Sequence, residues 1–114
     1  ERPAEKYDLV FSHAVVDHVY DIEAFVAACA GQSRGWLYLT SYRGWFPTLR
    51  DHVYAWDDWT TAFYNSLAPA QLLVQLHQLG CTDIQVKPQA TGKQDISQET
   101  IVIARAPAAP TLPR

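Results

Sequence analysis

The spacing of apolar positions changes several times along the chain, and each change marks an element. Residues Glu1 to Lys6 are polar and include Pro3, which makes them a lead-in loop. Tyr7-Asp8-Leu9-Val10-Phe11 is a short, nearly continuous apolar run, the pattern of a strand buried on both faces. It stops at Ser12-His13, and Ala14 to Val19 has the length of about one helical turn. Asp21 is a good helix N-cap, and Ile22, Phe25, Val26 and Cys29 then recur at helical spacing until Gly31.

Arg34-Gly35 reads as a turn, followed by a second buried-type strand over Trp36-Leu37-Tyr38-Leu39-Thr40. Residues 42 to 64 have no clean period. Pro69 opens a helix whose face is Leu72, Leu73, Leu76 and Leu79, and Gly80 ends it. Ala68 would be its N-cap, a poor residue for that place. Thr82 to Lys87 reads as a strand, Ala90 to Gln98 as a polar loop, and Glu99 to Ala104 as a last strand. Ala106 to Arg114 carries three prolines without periodicity and is expected to be disordered. Strands alternating with helices predict an α/β fold with parallel strands and crossover helices. The final two strands, with no helix between them, predict an antiparallel pair.

Composition narrows the class. A chain of 114 residues is one domain at most, and 48% apolar residues suffice for a core. A net charge of -3 argues against binding nucleic acid through its phosphates. No apolar run reaches the roughly 20 residues of a membrane span, and no secretory signal is visible. Cys29 and Cys81 are too few for a disulfide scaffold or a four-cysteine zinc site. Both read as buried thiols, which suits a reducing, cytoplasmic setting. The chain has no methionine, so Glu1 is expected to be a processed, cloned or proteolysed end of something larger.

The stretch Tyr7-Asp8-Leu9-Val10-Phe11-Ser12-His13-Ala14-Val15-Val16-Asp17-His18-Val19 resembles the "fDlVxxxxvLEHv" segment of class I S-adenosylmethionine-dependent methyltransferases. Gly35-Trp36-Leu37-Tyr38-Leu39 is similar to the family's fifth strand, with Arg34 in place of its first glycine. The segment from Ala68-Pro69 to Gly80-Cys81 resembles the helix before strand six, and Glu99 to Arg105 resembles strand seven. The resemblance covers residues 7 to 105 but only the second half of the family domain. It implies the C-terminal half of a Rossmann-like methyltransferase sheet, with two parallel strands, crossover helices and a closing antiparallel pair. Residues 1–105 would form this partial domain and 106–114 the tail. The family's glycine-rich cofactor loop has no counterpart, because no two of the five glycines stand two apart.

The resemblance implies that Ser12 and His13 contact the cofactor, S-adenosylmethionine, at the strand end where open parallel sheets also bind ligands. His18 would line the methyl-transfer site or orient its turn. In the ubiquinone-biosynthesis O-methyltransferases a similar turn carries metal ligands; here Ala14 stands at the first carboxylate position, so no metal is expected. Eight of the fourteen aromatic residues lie between 42 and 64. In the family this region covers the substrate, which makes Tyr42, Arg43, Trp45, Trp56, Trp59 and Tyr64 candidate acceptor contacts; the other possibility is a second small core. Asp57 and Asp58 suit a cationic amine, whereas Arg43 and Arg50 suit a carboxylate or phosphate. His52, near Tyr54, is a candidate general base, against the simpler reading of a surface-loop histidine. His77 is expected on the solvated side of its helix.

Two functions follow as expectations. One is the substrate-side half of a methyltransferase acting on a small-molecule O, N or C acceptor, inactive by itself. The other is a non-catalytic module that keeps the shape as an interaction or dimerisation surface. With both helices on one face of the sheet, strand 7–11 would be an open edge, to be covered by a missing N-terminal half or a second copy.

Overall fold

The structure, a computed structural model, describes residues 6–41, 46, 48–88 and 100–107. Tyr42, Arg43, Trp45, the 90–98 loop and residues 108–114 lie outside that set. In chain order the elements are β1 (Tyr7–His13), a one-turn 3-10 helix (Val16–His18), α1 (Ile22–Gly31) and β2 (Ser33–Ser41). A short hairpin of β3 (Trp56–Asp57) and β4 (Ala62–Phe63) follows, then α2 (Pro69–Gln78), β5 (Thr82–Pro88) and β6 (Thr100–Arg105).

Local chemistry explains the helix starts. The Asp21 carboxylate accepts the Ala24 N–H at 3.0 Å and caps α1. Pro69 begins α2 in the first turn, where a missing N–H costs nothing. Gly80, at φ +87°, takes the left-handed conformation just after α2. Gly31, by contrast, is the last residue of α1 and Gln32 is its C-cap.

The expected Rossmann-like parallel sheet is not what forms. The strand order is β1-β2-β6-β5, and among the described strands only the β1/β2 ladder is parallel. The β2/β6 and β6/β5 ladders are both antiparallel, so the domain is a small mixed sheet, mostly antiparallel. After α2 the chain enters β5 one position away from β2, and β6 doubles back to fill the slot between them. A doubly wound sheet also needs helices on both faces. Here the core packs Ile22, Val26, Leu72 and Leu76 of the two helices with Leu37, Leu39, Val102 and Ala104 of the sheet.

Arg34-Gly35 is not a turn. Both residues lie inside β2, which is longer at each end than the apolar run 36–40. Likewise β1 continues through Ser12 and His13, whose register partners are Leu39 and Thr40. Beyond β6, the Ala106 N–H donates to the Gly35 carbonyl at 2.7 Å and Ala106 is buried.

The second face of the sheet carries Leu9, Phe11, Trp36, Tyr38 and Ile103 in register. At its β1 edge Tyr7, Leu9 and Phe11 are 53%, 52% and 60% exposed. Among the described residues no helix is long and apolar enough to cross a membrane. Cys29 and Cys81 are free and buried, and burial pushes both thiols up.

Candidate functional site

The chain leaves β1 through Ala14, whose φ of 57° is rare for a side-chain-bearing residue and marks a tightly held bend. The Ala14 N–H donates to Thr40 O at 3.0 Å, tying the bend to β2. The one-turn helix beyond it is clamped from two sides. The fully buried Asp17 carboxylate accepts the Ser41 hydroxyl at 2.6 Å, at the end of β2. From the other side the Asn65 backbone N–H donates to Asp17 O at 2.7 Å. The Asn65 side-chain amide donates to Val19 O at 2.7 Å and Val16 O at 3.3 Å.

This clamp presents His18. Its Nδ1 lies 2.7 Å from the Phe63 carbonyl oxygen. A carbonyl only accepts, so Nδ1 carries the hydrogen and the lone pair of the neutral ring is on Nε2. Tyr64 meets the ring edge-on, with centroids 5.0 Å apart.

His18 lines a concavity of about 560 Å³ with Tyr20, Asp21, Phe25, Trp56 and Phe63. The β3–β4 hairpin forms one wall, and the N-terminal turn of α1 the other. Trp56 and Phe63 pack edge to face at 5.1 Å. The Trp56 indole N–H donates to Asp58 at 2.7 Å, which fixes the ring's rotation. Tyr54 packs on Phe63, and its hydroxyl accepts the Ile22 N–H at 2.7 Å, joining hairpin to helix. At the hairpin tip the Asp57 carboxylate accepts both the Thr60 hydroxyl and N–H, and these bonds hold it below the usual carboxylate range.

Of the residues expected at a site, the structure brings His18 and Trp56 together. Tyr64 contacts His18 without lining the concavity, and Trp59 is 93% exposed. Ser12 and His13 end β1 and are not among the residues lining the concavity. Ser12 Oγ is buried on the helix-covered side, without a partner among the described residues, and His13 Nδ1 bonds the Thr40 hydroxyl at 2.6 Å. Phe63 is one of the eight aromatics of the 42–64 stretch, whereas Tyr20, Asp21 and Phe25 were not expected as lining residues. Phe25 carries a helical-core signal because it also packs on the core from one side.

His52 does a structural task. It is 8% exposed, and its Nδ1 accepts the Ala68 N–H at 2.9 Å at the start of α2, where alanine itself cannot cap. Its own N–H donates to Gln71 Oε1 at 2.6 Å, and Gln71 reaches Glu23 on α1. Desolvation lowers the His52 pKa, partly opposed by Glu23 and Asp51. The folded state therefore binds this proton less readily than the unfolded chain. The contribution to stability should be complete above about 6.5, the unfolded value, and be lost progressively as pH falls through the lower folded value. Urea midpoints measured between pH 5 and 7.5 should show this slope, and His52→Asn, which keeps an acceptor but cannot titrate, should flatten it. An unchanged slope would remove His52 as the cause.

Among the described residues no group of three or more His, Cys, Asp or Glu side chains is placed to hold a metal ion. No family model matches the chain, and no curated protein matches it significantly.

Proposed function

We propose that this chain is the acceptor-side part of an S-adenosylmethionine-dependent methyltransferase for a small molecule. The observation that carries this reading is His18, held by Nδ1 on the Phe63 carbonyl, on the wall of an aromatic concavity just beyond the carboxyl end of β1. The rings of Trp56, Phe63 and Phe25 would hold an apolar acceptor by burial and stacking. His18 Nε2 would take the proton of the acceptor's O–H or N–H as it becomes a nucleophile. Positioning accounts for most of the rest, since one reactant must be held still against the other in a water-poor site. The methyl donor would rest on residues other than these. Buried free thiols favour a reducing, cytoplasmic setting.

One observation favours a second reading, a non-catalytic assembly module. Among the described strands β1 is an edge, and three of its side chains are more than half exposed. On the catalytic reading that edge is where the donor-holding part of the enzyme attaches; on the second, it is where another copy pairs. Kinetics of the enzyme containing this chain separates the two. Trp56→Ala should raise the acceptor KM several-fold while leaving donor affinity unchanged. His18→Ala should lower kcat by about a hundredfold to ten-thousandfold. Wild-type kinetics in both variants, or no methyl transfer from labelled donor to any phenol or amine offered, would leave only the assembly reading.

A further inference from the structure

We infer that the ligand of the His18–Trp56 concavity carries an ammonium group. This rests on the acceptor-site reading and adds the chemical class to it. The walls are Tyr20, Phe25, Trp56 and Phe63, four rings whose faces and edges offer a large π surface. Among the described lining residues the acidic side chain is Asp21, and none is a lysine or arginine. Among the described lining residues a carboxylate or phosphate meets no lysine or arginine, whereas an ammonium meets rings and a carboxylate together.

Two further details bias the site the same way. The Trp56 indole donates its N–H to the Asp58 carboxylate, and pairing with an anion enriches the ring's π electrons, which strengthens its hold on a cation. The Asp21 carboxylate spends one oxygen on the Ala24 N–H and retains acceptor capacity on the other. Arg50, the described arginine nearest in sequence to the hairpin, is exposed and is not among the lining residues.

The test uses choline, its neutral carbon isostere 3,3-dimethylbutan-1-ol, and benzoate, titrated into the full chain. The readout is the Trp56 indole resonance in nitrogen–proton correlation spectra. Choline should bind at least tenfold more tightly than the isostere, and benzoate should not move the resonance. Asp21→Asn, which keeps the helix cap but removes the charge, should weaken choline several-fold and leave the isostere unchanged. Trp56→Leu, at a half-exposed position, should abolish the preference when followed by calorimetry. Equal binding of choline and isostere, or binding of benzoate in place of choline, overturns the ammonium assignment while the acceptor site stands. If none of the three perturbs the concavity, both readings fall.

Discussion

Leu39→Ala is expected to destabilise the domain by about 2–5 kcal/mol, a large part of the roughly 5–15 kcal/mol that holds a domain of this size together. Leu39 is fully buried in β2, between Ser12 of β1 and Val102 of β6, and belongs to the core shared with α1 and α2. Removing its branched end leaves a void in the core cluster to which both helices and the neighbouring strand β6 contribute. The surroundings can collapse only a little, because β2 is hydrogen-bonded on each side. Urea unfolding followed by tryptophan fluorescence should show the midpoint falling without a change of slope. A midpoint shift worth less than 1 kcal/mol would mean that this side of the sheet is loosely packed.

Gly35→Ala should be nearly as severe for the opposite reason. A Cβ at Gly35 would sit 2.2 Å from the Asp8 carbonyl oxygen, a backbone atom that no side-chain rotation can move away. The β1/β2 register shifts between Tyr7 and Leu9, so the chain crowds toward β2 at Asp8. Alanine must push the two strands apart there, at a cost of about 1–3 kcal/mol or more. The nearby Arg34–Asp8 ion pair, at 2.7 Å, is exposed and offers little compensation. Hydrogen exchange should quicken in β1 before β6. Uniform exchange rates across the sheet, with stability unchanged, would show that the strands separate at no cost.

The same glycine shows where sequence reasoning ends. Arg34-Gly35 looks like a turn because glycine usually marks one; its reason here is the approach of a strand 27 residues earlier, which no local pattern reveals. Asp21, Pro69 and Gly80 were legible because their tasks are local: a cap, a first turn, a left-handed exit. The cap of α2 was not, since it comes from His52, sixteen residues before Ala68. The Rossmann-like parallel sheet was misjudged for a related reason. Alternation of strands and helices suggests parallel ladders, but β6 enters between β2 and β5 antiparallel to both.

The site divides along the same line. His18 and Trp56 were readable as a turn histidine and a clustered aromatic, while Tyr20 and Phe25 join them only because Tyr54 and Asn65 pin the hairpin and its flank to the turn and helix. β3 and β4, two residues each, are too short to leave a period.

Among the described strands β6 is the last to leave the ribosome, yet it lies inside the sheet, bonded on both sides. Until residues 100–105 emerge, β2 and β5 each present an unpaired edge, and Leu39 and Leu37 have no neighbour on that side. At translation rates of about 5–20 residues per second, that interval lasts for seconds. During synthesis the nascent chain can close only its parallel half, β1-α1-β2, and the remainder must wait. A ribosome stalled anywhere before residue 100 therefore holds an adhesive intermediate, one that a holding chaperone would recognise by its strand edges.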